Sequence, residues 1–371
     1  MMKTDIKNQR YIAMSYTEQN IRMITDLSEA PGASGFEDAV LDVVRRELDG
    51  ICSFEEDKVR NLYIYRKNHD GKKPVLMFDA HGDEVGFMIH SIKPNGTLRF
   101  VELGGMDPRG LAASEVLVRN ASGEYIKGTI GLRPPHFSNG DHSQPLDISS
   151  FAIDIGARSA REAVEDFGAA IGEPAVPATR CVFDEKHGLF FGKAFDCRIG
   201  VAAMIAAFRE LDGLDLPFDV VGVVSSQEEV GDRGIEVAVN KVCPDIAICF
   251  EGCPADDTFT EEYAVQTALK GGPMFRYIDR SVICSPRYQR WVLDTAKQNG
   301  IKAQASVREG GGNNGAVVNL SGKGVPVVVA GVPVRYIHST SGITSYEDFK
   351  STYKLAALIA KELTPEIFDT F

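Results

Sequence analysis

Val75-Leu76-Met77-Phe78-Asp79-Ala80-His81-Gly82-Asp83 runs from an apolar segment straight into two ligand-type side chains. The apolar part is short and reads as a buried strand. Three other segments repeat the pattern. Val220–Ser226 (VVGVVSS) leads to Glu228-Glu229, Ile246–Phe250 (IAICF) leads to Glu251, and Val325–Ala330 (VPVVVA) precedes His338. Pro326 is tolerable near the start of the last strand. Between and after these runs the apolar spacing is helical, over Ile199–Leu211, Ile235–Asn240, Pro286–Gln298 and Tyr346–Leu363. Strands alternating with helices predict an α/β layer fold with a mostly parallel sheet.

Upstream, Ser34-Gly35-Phe36-Glu37 has the spacing of a capping box, which predicts a helix over about 35–49. Residues 1–18 lack periodicity and read as a tail or a single peripheral helix. From about 88 to 178 the texture changes to Asn-Gly, Gly-Gly and Ser-Gly turn signals between short runs such as Glu115–Arg119 and Tyr125–Ile130. That stretch predicts a β-rich domain, 88–178, inserted into an α/β domain made of 1–87 and 179–371.

The formal charge of -12 disfavours nucleic acid and anionic membranes as partners. No run of about 20 apolar residues is present for a membrane span, and the polar N-terminus lacks a secretory signal. Seven scattered cysteines point to free thiols in a reducing cytoplasm rather than a disulfide framework.

In an open α/β sheet, ligands gather at the carboxyl ends of the strands. His81, Asp83, Glu228, Glu229, Glu251 and His338 all follow predicted strands, and Asp196 precedes the helix from Ile199. Singly, each has a bland reading as a turn residue, helix cap or core histidine. Together, two imidazoles and three carboxylates suit two zinc-like ions with one carboxylate shared. Asp83 and one member of the Glu pair remain for proton transfer or orientation.

The segments Ala30–Gly35, Ala80–Met88, Gly192–Gly200, Gln227–Gly231 and Arg335–Ser339 resemble, in this order, the family-42 metallopeptidases, the tetrahedral aminopeptidases. The resemblance covers roughly 22–365. It implies an aminopeptidase with two divalent ions per subunit, Zn²⁺ or Co²⁺, acting on peptides. It implies His81 and Glu251 on one metal, Glu229 and His338 on the other, and Asp196 between them. Glu228 would be the general base and acid, Asp83 would orient His81, and the peptide after Asp196 would be cis. The inserted domain would mediate dimers, which assemble further up to twelve subunits. Three positions depart from the family pattern. Cys197 and Glu251 each replace an Asp, and in the segment Gly311-Gly312-Asn313-Asn314-Gly315, where the family has Gly-Thr-Asp-Ala-Gly, Asn313 stands in place of the acid. Cys197 is a potential thiolate ligand, but with the nitrogen and oxygen set complete it reads as a buried neighbour. An acyl-removing enzyme or a non-catalytic peptide-binding paralogue on the same fold are the competing readings.

Overall fold

The apolar runs become the centre of one large mixed sheet. The structure is a computed structural model and describes residues 16–132, 135–137 and 147–371. In chain order the strands are β1 (Cys52–Glu56), β2 (Leu62–Arg66), β3 (Val75–His81), β4 (Gly86–Ile92), β5 (Leu98–Leu103), β6 (Glu115–Arg119), β7 (Tyr125–Ile130), β8 (Ile153–Asp154) and β9 (Pro174–Pro177). They continue with β10 (Val182–Asp184), β11 (Leu189–Gly192), β12 (Asp219–Ser225), β13 (Ile246–Pro254), β14 (Met274–Ile278), β15 (Gln304–Val307), β16 (Val327–Arg335) and β17 (Gly342–Ser345). The described residues form an 11-stranded sheet in the order β1-β2-β12-β3-β13-β16-β17-β11-β10, with β14 and β15 branching from β16.

The sheet is less parallel than the alternation predicts. Strands β12, β3, β13 and β16 run parallel to one another, and the pairings outward from β12 and from β16 along this path are antiparallel. The reason is connection length. The parallel neighbours are separated by crossover segments, whereas β1–β2, β10–β11 and β16–β17 are joined by short loops that only antiparallel pairs can use. Strands β13 and β16 also run further than their apolar cores, staying paired from Ala247↔Val327 to Pro254↔Val334. Glu251 therefore sits inside β13 rather than after it.

Helices cover both faces. One core packs Tyr16–Glu29, Asp38–Glu47, Phe195–Glu210 and Tyr346–Glu362 against the sheet. Phe195–Glu210 is buried almost all round from Phe195 to Phe208, as its Val-Ala-Ala-Met-Ile-Ala-Ala run requires. Arg233–Val242 and Gly315–Leu320 close a second core on the opposite face. The helix over Pro286–Gln298 has the predicted bounds. The helix expected over 35–49 is Asp38–Glu47, and no capping box starts it. Ser34 and Glu37 instead spend their side chains on the loops carrying Asp83 and Gln227, because tertiary partners outcompete the local cap. Of the N-terminal segment read as tail or helix, residues 1–15 lie outside the described residues, and a helix runs over Tyr16–Glu29.

Strands β4 to β9 close into a separate antiparallel barrel in the order β4-β5-β8-β7-β6-β9. It has its own core, including Phe87, Phe100, Val116, Val118 and Ile153. Closure removes the free edges that so small a sheet would otherwise expose. A further Asn-Gly turn signal of this stretch, at 139–140, lies outside the described residues.

Candidate functional site

The carboxyl ends of β3, β12, β13 and β16 meet the first turn of Phe195–Glu210 on one edge of the sheet. Strand β3 ends on His81, paired in register with Ser225 at the end of β12. The chain then turns through Gln227, with φ +56°, and presents Glu228 and Glu229. Two buried carboxylates hold this turn. Asp83 Oδ1 accepts the Glu228 N–H at 3.0 Å, and Oδ2 accepts the Glu229 N–H at 3.2 Å and the Ser34 hydroxyl at 2.6 Å. Glu37 Oε1 accepts the N–H groups of Gly35 at 2.7 Å and Gln227 at 3.2 Å.

Asp196 enters from the helix side. Its peptide bond to Cys197 is cis, and both residues have non-helical backbone angles within the helical segment. Strand β13 can come this close because residue 252 is glycine. A Cβ there would lie 2.5 Å from Phe195 O and 2.9 Å from the Asp196 backbone.

The two imidazoles are oriented alike. His81 Nδ1 lies 3.2 Å from the Asp83 carbonyl and 3.3 Å from Asp83 Oδ1, leaving Nε2 3.2 Å from Asp196 Oδ1. His338 Nδ1 donates to Gly105 O at 2.9 Å, leaving Nε2 3.2 Å from Asp196 Oδ2. Gly105 follows β5, so the barrel itself orients one histidine of the sheet. In both rings an oxygen acceptor keeps the proton on Nδ1 and frees the Nε2 lone pair.

The remaining carboxylates complete two sets of donors around Asp196. His81 Nε2 is 3.7 Å from Glu251 Oε2 and 3.8 Å from Glu228 Oε2, and His338 Nε2 is 3.6 Å from Glu229 Oε1. Ligand bonds of about 2.0–2.3 Å in a tetrahedron imply donor separations of roughly 3.3–3.8 Å. The observed spacings lie in or next to that range. Glu229 Oε1 is buried without a hydrogen-bond partner, so one lone-pair-bearing oxygen already faces the space between donors.

Electrostatics point the same way. Burial, reinforced by neighbouring carboxylates, pushes Glu228 and Glu251 well above the usual carboxylate range and Glu229 up to about 8. Burial opposes charge on His338, yet its bond to Asp196 and the nearby Glu229 raise its pKa to about 10. Burial likewise disfavours charge on Asp196, but bonds from His338 and His81 hold its carboxyl low. Such a crowd of carboxylates is stable only if cations, protons or metal ions, neutralise it. The residues thus fit divalent metal, in three donor groups: His81–Asp196–Cys197–Glu251, His81–Glu228–Glu229 and Asp196–Glu229–His338.

A cavity of ≈680 Å³ opens over these groups, lined also by Asp232, Arg276, Arg308 and Gly310–Gly312. Asn313, one of the departures from the family pattern, does not face it. Asn313 is buried and donates to Asp279 at 2.7 Å, and Asp279 in turn pairs with Arg276.

All seven residues singled out from the sequence converge here. Sequence reasoning missed Ser34 and Glu37 as holders of the site loops, and Glu84, Lys193 and Arg198 behind it. Their signal was present, since each lies inside or next to a motif segment, but spacing does not show what a side chain touches. Asp83 carries a direct test. Asn at this position keeps one acceptor oxygen and turns a donor NH₂ toward the donors that Asp83 now receives. Asp83→Asn is expected to lower kcat/KM by roughly 10–100-fold, the size of effect seen for groups that orient metal ligands. Steady-state kinetics beside circular dichroism check this; unchanged kcat/KM would remove Asp83 from the site.

Donors gathered at the carboxyl edge of an open α/β sheet stand where enzymes of this layer architecture bind their ligands. The sequence model described as M42 glutamyl aminopeptidase matches residues 61–355, and the chain belongs to that family: it is an aminopeptidase. It is 32% identical over 343 residues to the glutamyl aminopeptidase of Lactococcus lactis, covering 92% of this chain and 95% of that protein. The TET aminopeptidase structure from Thaumarchaeota archaeon SCGC AB-539-E09 superposes with a TM-score of 0.91 at 32% identity, covering 96% of this chain and 99% of the other. The TET1 peptidase of Pyrococcus horikoshii, described as able to assemble into a tetrahedron or a large octahedral shell, superposes at 0.84 with 29% identity, covering 93% and 100%.

Proposed function

We propose that this aminopeptidase uses two divalent metal ions and Glu228 as its general base. His81 and Glu251 would hold one ion, Glu229 and His338 the other, with Asp196 between them. The observation that carries this reading is the pair of Nε2 atoms set 3.2 Å from opposite oxygens of Asp196. Bound there, Zn²⁺ or Co²⁺ would lower the pKa of water and polarise the scissile carbonyl. Glu228 takes the proton of the attacking water and returns it to the leaving amine. Asp83, through the Glu228 and Glu229 N–H groups and His81, keeps base and ligands in register.

Peptides would enter through the cavity above Asp196. The chain would divide into a catalytic unit, 1–87 with 179–371, and an inserted unit, 88–178, that mediates dimers. Dimers would assemble further, up to a dodecamer; the Pyrococcus horikoshii relative is described as able to assemble into a tetrahedron or a large octahedral shell. No helix among the described residues is long and apolar enough to cross a membrane; a cytoplasmic location agrees with the free cysteines and acidic charge. Nothing in this reading calls for nucleic acid.

The test is a panel of free and N-acylated aminoacyl and peptide substrates with added Zn²⁺, Co²⁺ or Mn²⁺, beside elemental analysis of the purified protein. Two ions per subunit and activity confined to free N-termini are expected. Activity on acylated substrates alone would make the chain an acyl-removing enzyme, and metal-independent turnover would overturn the two-metal reading. Light scattering is expected to show a homo-oligomer built from dimers; a monomer at micromolar concentration would contradict the role of the barrel.

A further inference from the structure

We propose that Cys197 supplies a sulfur donor to the His81–Asp196–Glu251 set, so that one of the two metal positions is a mixed nitrogen, oxygen and sulfur site for a thiophilic divalent cation. The inference rests on the two-metal reading and goes beyond it. Cys197 Sγ and one ligand atom each of His81, Asp196 and Glu251 all lie within 4.8 Å of one another. Within this set His81 Nε2 is 3.2 Å from Asp196 Oδ1 and 3.7 Å from Glu251 Oε2, so the sulfur joins donors already spaced for one ion.

The fold holds the sulfur there. Cys197 is fully buried, and its non-helical backbone aims it away from a regular helical position. One turn on, residue 200 is glycine. A Cβ there would lie 2.5 Å from Sγ, so the sulfur fills space that only glycine leaves. The thiol donates to Phe250 O at 3.1 Å, which ties it to the strand segment carrying Glu251. Ligation exchanges that bond for one to the cation and releases the thiol proton to solvent.

The two positions then differ in kind. The second set, Asp196, Glu229 and His338, contains no sulfur. Four protein donors make a closed position, and three leave one open for water or substrate. Sulfur also shifts preference toward Zn²⁺ and away from ions such as Mn²⁺ that favour oxygen ligands. The closed position should therefore fill first and empty last.

The experiment titrates metal-free full-length protein with Co²⁺ and reads sulfur-to-cobalt charge transfer in the near ultraviolet, with bound cobalt counted on the same samples. Cys253→Ser is the control, because Cys253 is equally buried but outside the donor set. The band is expected in wild type and Cys253→Ser, saturating with the first equivalent, and is expected to be lost in Cys197→Ser. Retention of that first ion against a chelator should weaken by at least about tenfold in Cys197→Ser. Cys197→Ala repeats the comparison if the serine variant does not fold. A wild-type protein that binds two cobalt ions without the band, or a Cys197→Ser protein that keeps it, overturns the sulfur donor and leaves the two-metal reading intact. A wild-type protein that binds no cobalt overturns both.

Discussion

Glu228→Gln is expected to lower kcat by about 10²–10⁴-fold while metal content and fold stay unchanged. The amide keeps the size of the side chain and can still hydrogen-bond, but it cannot take a proton from water. The expectation rests on position. Glu228 and Glu229 are consecutive, and both backbone N–H groups are fixed by Asp83, yet their side chains diverge. Glu229 Oε1 faces His338 at 3.6 Å, whereas Glu228 Oε2 lies 3.8 Å from His81, and both residues line the cavity. Glu229→Gln would offer its ion a neutral ligand, so metal is lost first and excess metal restores part of the activity. Measuring bound metal and kcat for both variants side by side separates the roles. If Glu228→Gln loses its metal and Glu229→Gln does not, the two assignments are exchanged; full activity in both would refute the site.

The second large effect concerns stability. Glu84 is buried with Lys193 and Arg198, at side-chain exposures of 2%, 1% and 1%. Its two oxygens lie 2.6 Å from Lys193 Nζ, and Oε1 also meets Arg198 Nη2 at 3.3 Å and the Gly32 N–H at 3.2 Å. Burial lowers the pKa of both cations, and the Glu84 carboxylate beside them opposes that shift. Arg198 spreads its other donors over the carbonyls of Leu27, Ala30, Gly32 and Gly82. It thereby ties the first helix to the loop between His81 and Asp83. Glu84→Gln leaves two buried cations facing a neutral group. A loss of about 3–5 kcal/mol is expected, as for a buried pair broken on one side.

Lys193→Met in the same protein removes one of the stranded charges, so the double variant should recover much of the loss. Denaturant midpoints across the double-mutant cycle measure this coupling. Additive effects would mean that the pair is not coupled. A Glu84→Gln protein as stable as wild type would show that the network serves only to position the site.

Much of this was legible because it is local. Val75–Ala80 announces β3 by composition, and the helical spacing over Pro286–Gln298 returns the observed bounds. The ligand-type residues could be read as a group because parallel strands put their carboxyl ends on one edge, and that rule needs no knowledge of strand order. Ser34-Gly35-Phe36-Glu37 misled for an equally physical reason. Spacing suits a capping box, but Ser34 finds Asp83 and Glu37 finds Gln227, partners far along the chain.

The sequence by itself determined the α/β class, the inserted β-rich segment and the set of acids and histidines from which a site could be built. Hydrophobic period and turn chemistry are properties of neighbouring residues, so they survive without the fold. The family resemblance implied how the donors group. Only the tertiary structure gives the distances that bring them together around Asp196, since those depend on strand order and on the approach of Gly252 to Asp196. It also decided that a barrel carbonyl at Gly105 orients His338, and that Cys197 points its sulfur among the donors. These are contacts between segments distant in the chain, set by packing and backbone direction, and no local pattern encodes them.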